Sequence, residues 1–354
     1  MVGSMMFTGP RGGNLMRVRV ALLAVPLVIM AACSSGTTST GTRTAGTSAS
    51  GSSSEAATLG PPVPPATVLA APVAADRLPT AAGAFGEKPA ITFPAAGPVP
   101  SLQRVILSAG AGPLTQSGDW LITNYLGQIW AGAVFDNSYD KATTAGFQIG
   151  VGAVVPGWDV ALVGVPVGSR VMLTVPPADG YGAKGKTSAG ISGADTLVFV
   201  VDIVQAVARD AAGQTDAAPQ PAPAGGPQVT GPLGAAPTVT IPGGLAEPTA
   251  PTVAVLAADT GAPVKNGQVL AQFVAVTWAG TSAGSTWPGA VSATGQPSPG
   301  PQQLPVAATG AFAGLAGVPL GSRVLVQIPA QKNTQTGKTQ PAVAAAVDLL
   351  AQSS

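Results

Sequence analysis

Three short blocks occur twice in the chain, and in the same order. ITFP (91–94) recurs as VTIP (239–242), IWAG (129–132) as TWAG (277–280), and GVPVGSRVMLTVP (164–176) as GVPLGSRVLVQIP (317–329). Trp278 follows Trp130 by 148 residues and Trp287 follows Tyr139 by the same 148, while Gly317 follows Gly164 by 153. Low-complexity sequence repeats by chance, but chance does not hold ordered blocks at nearly fixed spacing. Self-similarity of this kind marks a duplicated structural unit, so whatever the first copy folds into, the second copy should resemble. The stretch DAAGQTDAAPQPAPAGGPQ (210–228) separates the copies and reads as a linker. The expected layout is a first domain at 89–208, a linker at 209–234 and a second domain at 235–351.

Within a copy the signal is mostly strand. WLITNYLGQIW (120–130), RVMLTVP (170–176) and TLVFVVDIV (196–204) are rich in Val, Leu, Ile and Thr and are punctuated by Gly and Pro. In the last of these, Leu197, Phe199, Val201 and Ile203 share one face, and Thr196, Val198, Val200 and Asp202 share the other. Two valines on the second face predict that it too is covered, with the sister domain as the candidate cover. GWDVALVGV (157–165) is the one plausible helix, and it is short. Many strands with one helix predict α+β domains built on an antiparallel sheet.

The N-terminus predicts a targeting device. In MRVRVALLAVPLVIMAAC (16–33), Arg17 and Arg19 precede an apolar run too short to span a bilayer comfortably. Ala31 and Ala32 then precede Cys33, the single cysteine of the chain. The pattern resembles a bacterial lipobox, in which that cysteine becomes lipidated. Residues 1–33 are thus expected to be a lipoprotein signal peptide, with Met16 as an alternative start. SSGTTSTGTRTAGTSASGSSS follows, and it opens a segment expected to act as a flexible tether over 34–88. The expected location is the extracytoplasmic face of the cell membrane, held through the lipid on Cys33.

Absences narrow the chemistry. The chain has no histidine, which removes the usual general base, the Ser-His and Cys-His pairs and the commonest metal ligand. With one cysteine there is no intrachain disulfide and no Cys-rich zinc site. Net charge is +1 and charged residues are 9% of the chain, so no basic field exists for nucleic acid. The expectation is no metal, no cofactor and a chemistry that rests on shape and hydrogen bonds.

Against this bland background stand FDNSYD (135–140), VVPGWD (154–159), VGSR (167–170), GYG (180–182) and ISGADTLVFVVDIV (191–204). Read singly, Tyr125, Trp158 and Phe199 are ordinary core aromatics and Gly-Tyr-Gly is a turn. In this order and spacing, from about Val105 to Val204, they resemble the FKBP-type peptidyl-prolyl isomerase family. The resemblance implies a curved antiparallel sheet wrapped around a short helix, with a pocket between the two. It implies Trp158 as the floor under a proline ring, with Phe135, Tyr125 and Phe199 as walls and Val154 beside them. It also implies that the Tyr181 hydroxyl and the backbone N–H groups of Val155 and Ile191 donate to peptide carbonyls, and that Asp136 is the polar group near the twisted amide. Tyr139 lies outside that pocket pattern and reads as local packing. Two departures stand out: Ala145 where the family often has a bulky aromatic, and a loop 183–195 without the family's Ile-Pro-Pro character.

Aligning the copies sets Phe135, Asp136 and Trp158 against Ala283, Gly284 and Ala311. Tyr125 meets Phe273 and Phe199 meets about Ala345, whereas Gly157, Arg170 and Asp202 keep counterparts in Gly310, Arg323 and Asp348. The second copy is expected to keep the fold and lack the site. The family resemblance, taken with the lipid anchor expected at Cys33, gives as the leading expectation a membrane-anchored isomerase assisting exported proteins. Its partners would be proline-containing segments of those proteins, and macrolide inhibitors of the family should bind. The alternative is a non-catalytic peptide-binding or chaperone lipoprotein using the same pocket.

Overall fold

The computed structural model describes residues 69–290, 297–298, 300–332 and 337–353. The expected signal peptide, Cys33 and the tether up to residue 68 lie outside the described residues.

The first half begins with a hairpin of β1 (Thr80–Ala82) and β2 (Ala90–Thr92). Then come β3 (Gln103–Ser108), β4 (Trp120–Ile129), β5 (Val134–Asn137), β6 (Ala145–Gln148), the helix α1 (Pro156–Ala161), β7 (Arg170–Val175) and β8 (Leu197–Val207). The main sheet has the order β3-β7-β8-β4-β5, with β6 pairing the other end of β4. Every pairing in it is antiparallel. α1 starts where Val155, extended at ψ 142, hands over to Pro156, whose missing N–H costs nothing at the first helical position. It lies against the sheet at Val175 and Leu102, so closely that a Cβ on Gly157 would sit 2.8 Å from Val175 Cγ1.

The two faces of β8 belong to different cores. Leu197, Phe199, Val201 and Ile203 bury into the core shared with α1. Val198 and Val200 bury with Met172 on the opposite face, against Ala81, Ile91, Phe93 and Trp130. The cover expected from the sister domain is therefore the β1–β2 hairpin of the same half. It is also tied electrostatically. Arg170 donates to both Asp202 carboxylate oxygens at 2.6 and 2.7 Å and to the carbonyls of Gly83 and Glu87 at 2.6 Å each. The Gly86 N–H donates to Asp202 at 2.7 Å. The tether expected over 34–88 thus has its C-terminal part folded into this domain, because these short strands satisfy a buried ion pair.

The second half repeats the arrangement with β9 (Ala218–Pro219), β10 (Gln228–Thr230), β11 (Thr238–Thr240), β12 (Thr252–Ala258), β13 (Gly267–Thr277), β14 (Ser282–Ser285) and β15 (Gln302–Val306). It ends with β16 (Arg323–Ile328), β17 (Gln331–Lys332), β18 (Thr339–Gln340) and β19 (Val343–Gln352). Its sheet runs β14-β13-β19-β16-β12-β9, with β15 also on β13. Arg323 pairs with Asp348 at 2.6 Å and reaches the carbonyls of Pro232 and Ala235 at 3.1 and 2.8 Å. The β10–β11 hairpin packs Val229, Val239 and Ile241 on the outer face of this sheet. Here the expectations need two corrections. Residues 209–234 are not a free linker, since β9 and β10 join this half. In place of α1 there is only a single 3-10 turn at Ala313–Leu315.

Candidate active site

Five aromatic side chains converge above the inner face of the first sheet. Trp158 is supplied by α1, Phe199 by β8, Tyr125 by β4, Phe147 by β6 and Phe135 by β5. Trp158 is the hub. Its ring stands edge-on to Phe199 at 5.1 Å, Phe147 at 5.1 Å and Tyr125 at 5.7 Å, and Phe135 meets Phe199 at 5.6 Å. Edge-to-face contacts of this kind add about 0.5–1.5 kcal/mol each beyond burial alone. Ile191 is buried in the same cluster, and Val154, Val155 and Tyr181 pack against it half-buried. Residues spread over 125–199 in sequence therefore form one aromatic cup, with a buried floor and a partly exposed rim.

Three donors in the cup have no acceptor among the described residues. The Trp158 indole N–H is buried and unpartnered. Among the described residues the Val155 N–H, which precedes the helix, has no backbone acceptor, and the half-buried Tyr181 hydroxyl faces no recorded acceptor. Buried donors are paired in the great majority of cases, so the unpartnered Trp158 N–H is an exception that marks the floor of the cup. Ile191 differs from expectation. Its N–H donates to the Lys186 carbonyl at 3.1 Å in a turn of its own loop, so it can serve as wall but not as donor.

Asp136 stands at the edge of the cup. The Tyr125 hydroxyl donates to its Oδ2, and the Lys141 ammonium donates to its Oδ1 at 2.7 Å. Burial would raise the carboxyl, but Lys141 and Tyr125 outweigh it and hold Asp136 below the usual carboxylate range. Burial, and then the Asp136 carboxylate, push the Tyr125 hydroxyl above the ordinary tyrosine range. Asp136 is thus a fixed anion and Tyr125 a fixed donor across neutral pH. Tyr139, expected only to pack locally, also donates to Asp202 at 2.9 Å beside Arg170.

All nine residues expected to form a pocket, from Tyr125 to Phe199, lie in or on this cup. Sequence reasoning missed Phe147, which reaches Trp158 only because Leu121 and Phe147 pair in register. It also missed Lys141, which arrives on a 3-10 turn at Tyr139–Lys141, and Asp159, whose carboxylate accepts from Gly150 and Gly152 at 2.8 and 2.6 Å and fixes the loop before α1. Lys141, five residues beyond Asp136, was the one detectable from spacing. A separate cleft of about 400 Å³ lies between the halves, lined by Gln116, Asp119, Arg209, Asp210 and Pro288, and none of the cup residues reaches it.

A family model of FKBP-type peptidyl-prolyl cis-trans isomerases matches residues 112–204. The chain is 36% identical over 119 residues to the FK506-binding protein of Streptomyces anulatus, covering 33% of this chain and 96% of that protein. It is 41% identical over 90 residues to FK506-binding protein 2 of Dictyostelium discoideum, covering 25% of this chain and 67% of that one. With peptidyl-prolyl cis-trans isomerase FKBP9 of Mus musculus it shares 38% identity over 104 residues, covering 29% of this chain and 18% of that relative.

Proposed function

This chain belongs to the FKBP-type peptidyl-prolyl cis-trans isomerase family, and we propose that its first half is the working isomerase domain, carried on a lipid anchor at Cys33 outside the cell membrane. The observation that carries the catalytic reading is the aromatic cup with its orphan donors. Rotation about an X-Pro bond makes and breaks no covalent bond. Its barrier is about 18–20 kcal/mol because amide resonance enforces planarity. The twisted transition state is less dipolar than the planar ground state, so an apolar cup around Trp158 favours it. Donors aimed at the twisted form add differential binding. A millionfold acceleration requires about 8 kcal/mol of such preference.

In this reading Trp158 lies under the proline ring, and Phe135, Tyr125, Phe199, Val154 and Ile191 wall it. The Val155 N–H and Tyr181 hydroxyl hold peptide carbonyls. The Asp136 carboxylate, fixed by Tyr125 and Lys141, presents a negative charge to the rotating amide. The substrates are proline-containing segments of exported proteins. The second half is a degenerate copy that retains the sheet and has lost the cup.

A prolyl-peptide isomerisation assay on the intact chain tests this. Acceleration over background should fall at least tenfold in Tyr181→Phe and Asp136→Leu together, with the fold retained by circular dichroism. A macrolide of the family's inhibitor class should quench tryptophan fluorescence and block turnover. A second reading, a peptide-binding module without turnover, draws on Ala145 in β6 and on the Ile191 N–H already spent inside its loop. It would show as peptide binding with no acceleration. For the anchor, Cys33→Ser should move the protein from the membrane to the soluble fraction, and continued membrane retention would refute lipidation.

A further inference from the structure

The loop that supplies Ile191 to the cup is tightly built. The Lys186 N–H donates to the Ile191 carbonyl at 2.8 Å, and the Ile191 N–H returns to the Lys186 carbonyl at 3.1 Å. Gly185 between the turns has φ +62°, and a Cβ there would sit 2.3 Å from the Ile191 carbonyl oxygen. The backbone of Lys186 is therefore fixed against a wall residue of the cup. From that position its ammonium lies over the Tyr181 ring, 5.1 Å from the centroid.

The cations around the cup are not equivalent. Lys141 and Lys88 are neutralised at 2.7 Å by Asp136 and Asp140, and Arg104 is taken up by the carbonyls of Ala161 and Val163 at 3.0 Å. Lys184 and Lys186, both exposed, make no ion pair among the described residues, and of the two it is Lys186 that lies over Tyr181. The nearest carboxylates in sequence are Asp179 and Asp195, and neither is in salt-bridge contact with Lys186. Asp195 accepts from the Ser192 N–H at 2.7 Å. An exposed ammonium, uncompensated at contact distance, is thus parked on the aromatic ring whose free hydroxyl points to a role with peptide carbonyls. A side chain next to such a carbonyl comes within the roughly 8–10 Å over which exposed charges interact at moderate salt.

We propose that Lys186 is a specificity-determining residue: its ammonium, held at the rim over Tyr181, makes the site prefer proline segments with a carboxylate side chain on the residue before the proline. The inference rests on the isomerase reading of the same cup and names its substrate class.

The intact chain is assayed with three peptides alike except for Glu, Ala or Lys before the proline. At low salt the Glu peptide should exceed the Lys peptide in kcat/KM by about three- to tenfold, the size of one exposed charge acting in opposite directions on the two. The ratio should shrink in 0.5 M salt, fall toward one in Lys186→Gln, invert in Lys186→Glu and survive in Lys186→Arg. An equal ratio in wild type, Lys186→Gln and Lys186→Glu, with the Ala peptide turned over, overturns the proposal and leaves the isomerase reading standing. If no peptide is isomerised, that reading fails. The same ratio taken as Kd from tryptophan fluorescence then decides the role of Lys186, and equal Kd values for the Glu and Lys peptides overturn it.

Discussion

Gly127 sits in β4 where two rings leave no room for a side chain. A Cβ there would lie 2.6 Å from Phe135 Cζ and 2.9 Å from Phe199 Cε1. Gly127→Ala is therefore expected to force both rings off their contacts with the cup. It should destabilise the first domain by about 1–3 kcal/mol, as overpacking does, and lower kcat/KM. Thermal denaturation and the peptide assay check the two effects. Asp136 gives a pH prediction. Its carboxyl is depressed in the folded protein, so its stabilising contribution is complete above the ordinary carboxylate value of about 3.9. That contribution is lost as pH falls below this value through the depressed one. The gap in Tm between wild type and Asp136→Asn should be present at pH 6 and narrow as pH falls below the ordinary carboxylate value; a gap that stays constant to the lowest pH would refute the assignment. These residues also show what the sequence could reveal. Phe135, Asp136 and Trp158 are exceptions in an Ala/Gly/Val chain, so composition exposes them. Gly127 looks like any other glycine, and Phe147 like any strand residue, until strand pairing sets each against the rings. Register across β4 was the missing information.

At the scale of elements the β1–β2 hairpin decides whether the sheet is complete. It buries Met172, Val198 and Val200 and supplies two carbonyls to Arg170 and one N–H to Asp202. Removing the hairpin leaves the Arg170–Asp202 pair itself intact but takes two acceptors from Arg170, one donor from Asp202 and the cover from Met172, Val198 and Val200. A chain starting at residue 94 should therefore melt far below one starting at residue 69 and bind a hydrophobic dye. Equal Tm values would show that the hairpin contributes nothing. The hairpin was not legible because its strands are three residues each and flanked by Gly and Pro, the signature of a tether. One sign of it was legible: two valines on the outer face of β8 demanded a cover. The sequence pattern identified the need, and only the Arg170 contacts identify the segment that meets it. The main strands and α1 were readable because long β-branched runs and a Pro-Gly-Trp start are local signals.

For the whole molecule, the question is what two similar sheets do in one chain. Register places the equivalences without appeal to sequence similarity. Gly127 pairs with Phe199 in the first sheet, and Ala275 with Ala345 in the second. Tyr125 donates its N–H to the Ser138 hydroxyl, and Phe273 donates to Thr286 in the same way. At three cup positions the second sheet offers a smaller side chain, with Ala283 on β14, Ala311 before the 3-10 turn and Ala345 on β19, while the Tyr125 position keeps an aromatic in Phe273. The space is not left empty, since Phe273, Phe312 and Leu315 close a continuous core there. The two sheets also touch. Gln272 donates to the Arg209 carbonyl at 3.0 Å, the Arg209 guanidinium donates to the Ser298 carbonyl, and Ile122 and Val207 pack with Leu270 and Ala351. The second half also holds a buried indole N–H without an acceptor, on Trp287, but the described residues assemble no ring-on-ring cup around it. Activity of the intact chain should then come from the first sheet alone. Trp158→Leu combined with Asp136→Leu should bring isomerisation to background. Ala311→Trp should alter stability through overpacking without creating activity, because Ala283 and Gly284 would still lack the wall and the anion. Residual turnover in the doubly substituted chain, proportional to enzyme and blocked by the macrolide, would mean that the second sheet holds a site its packing does not reveal.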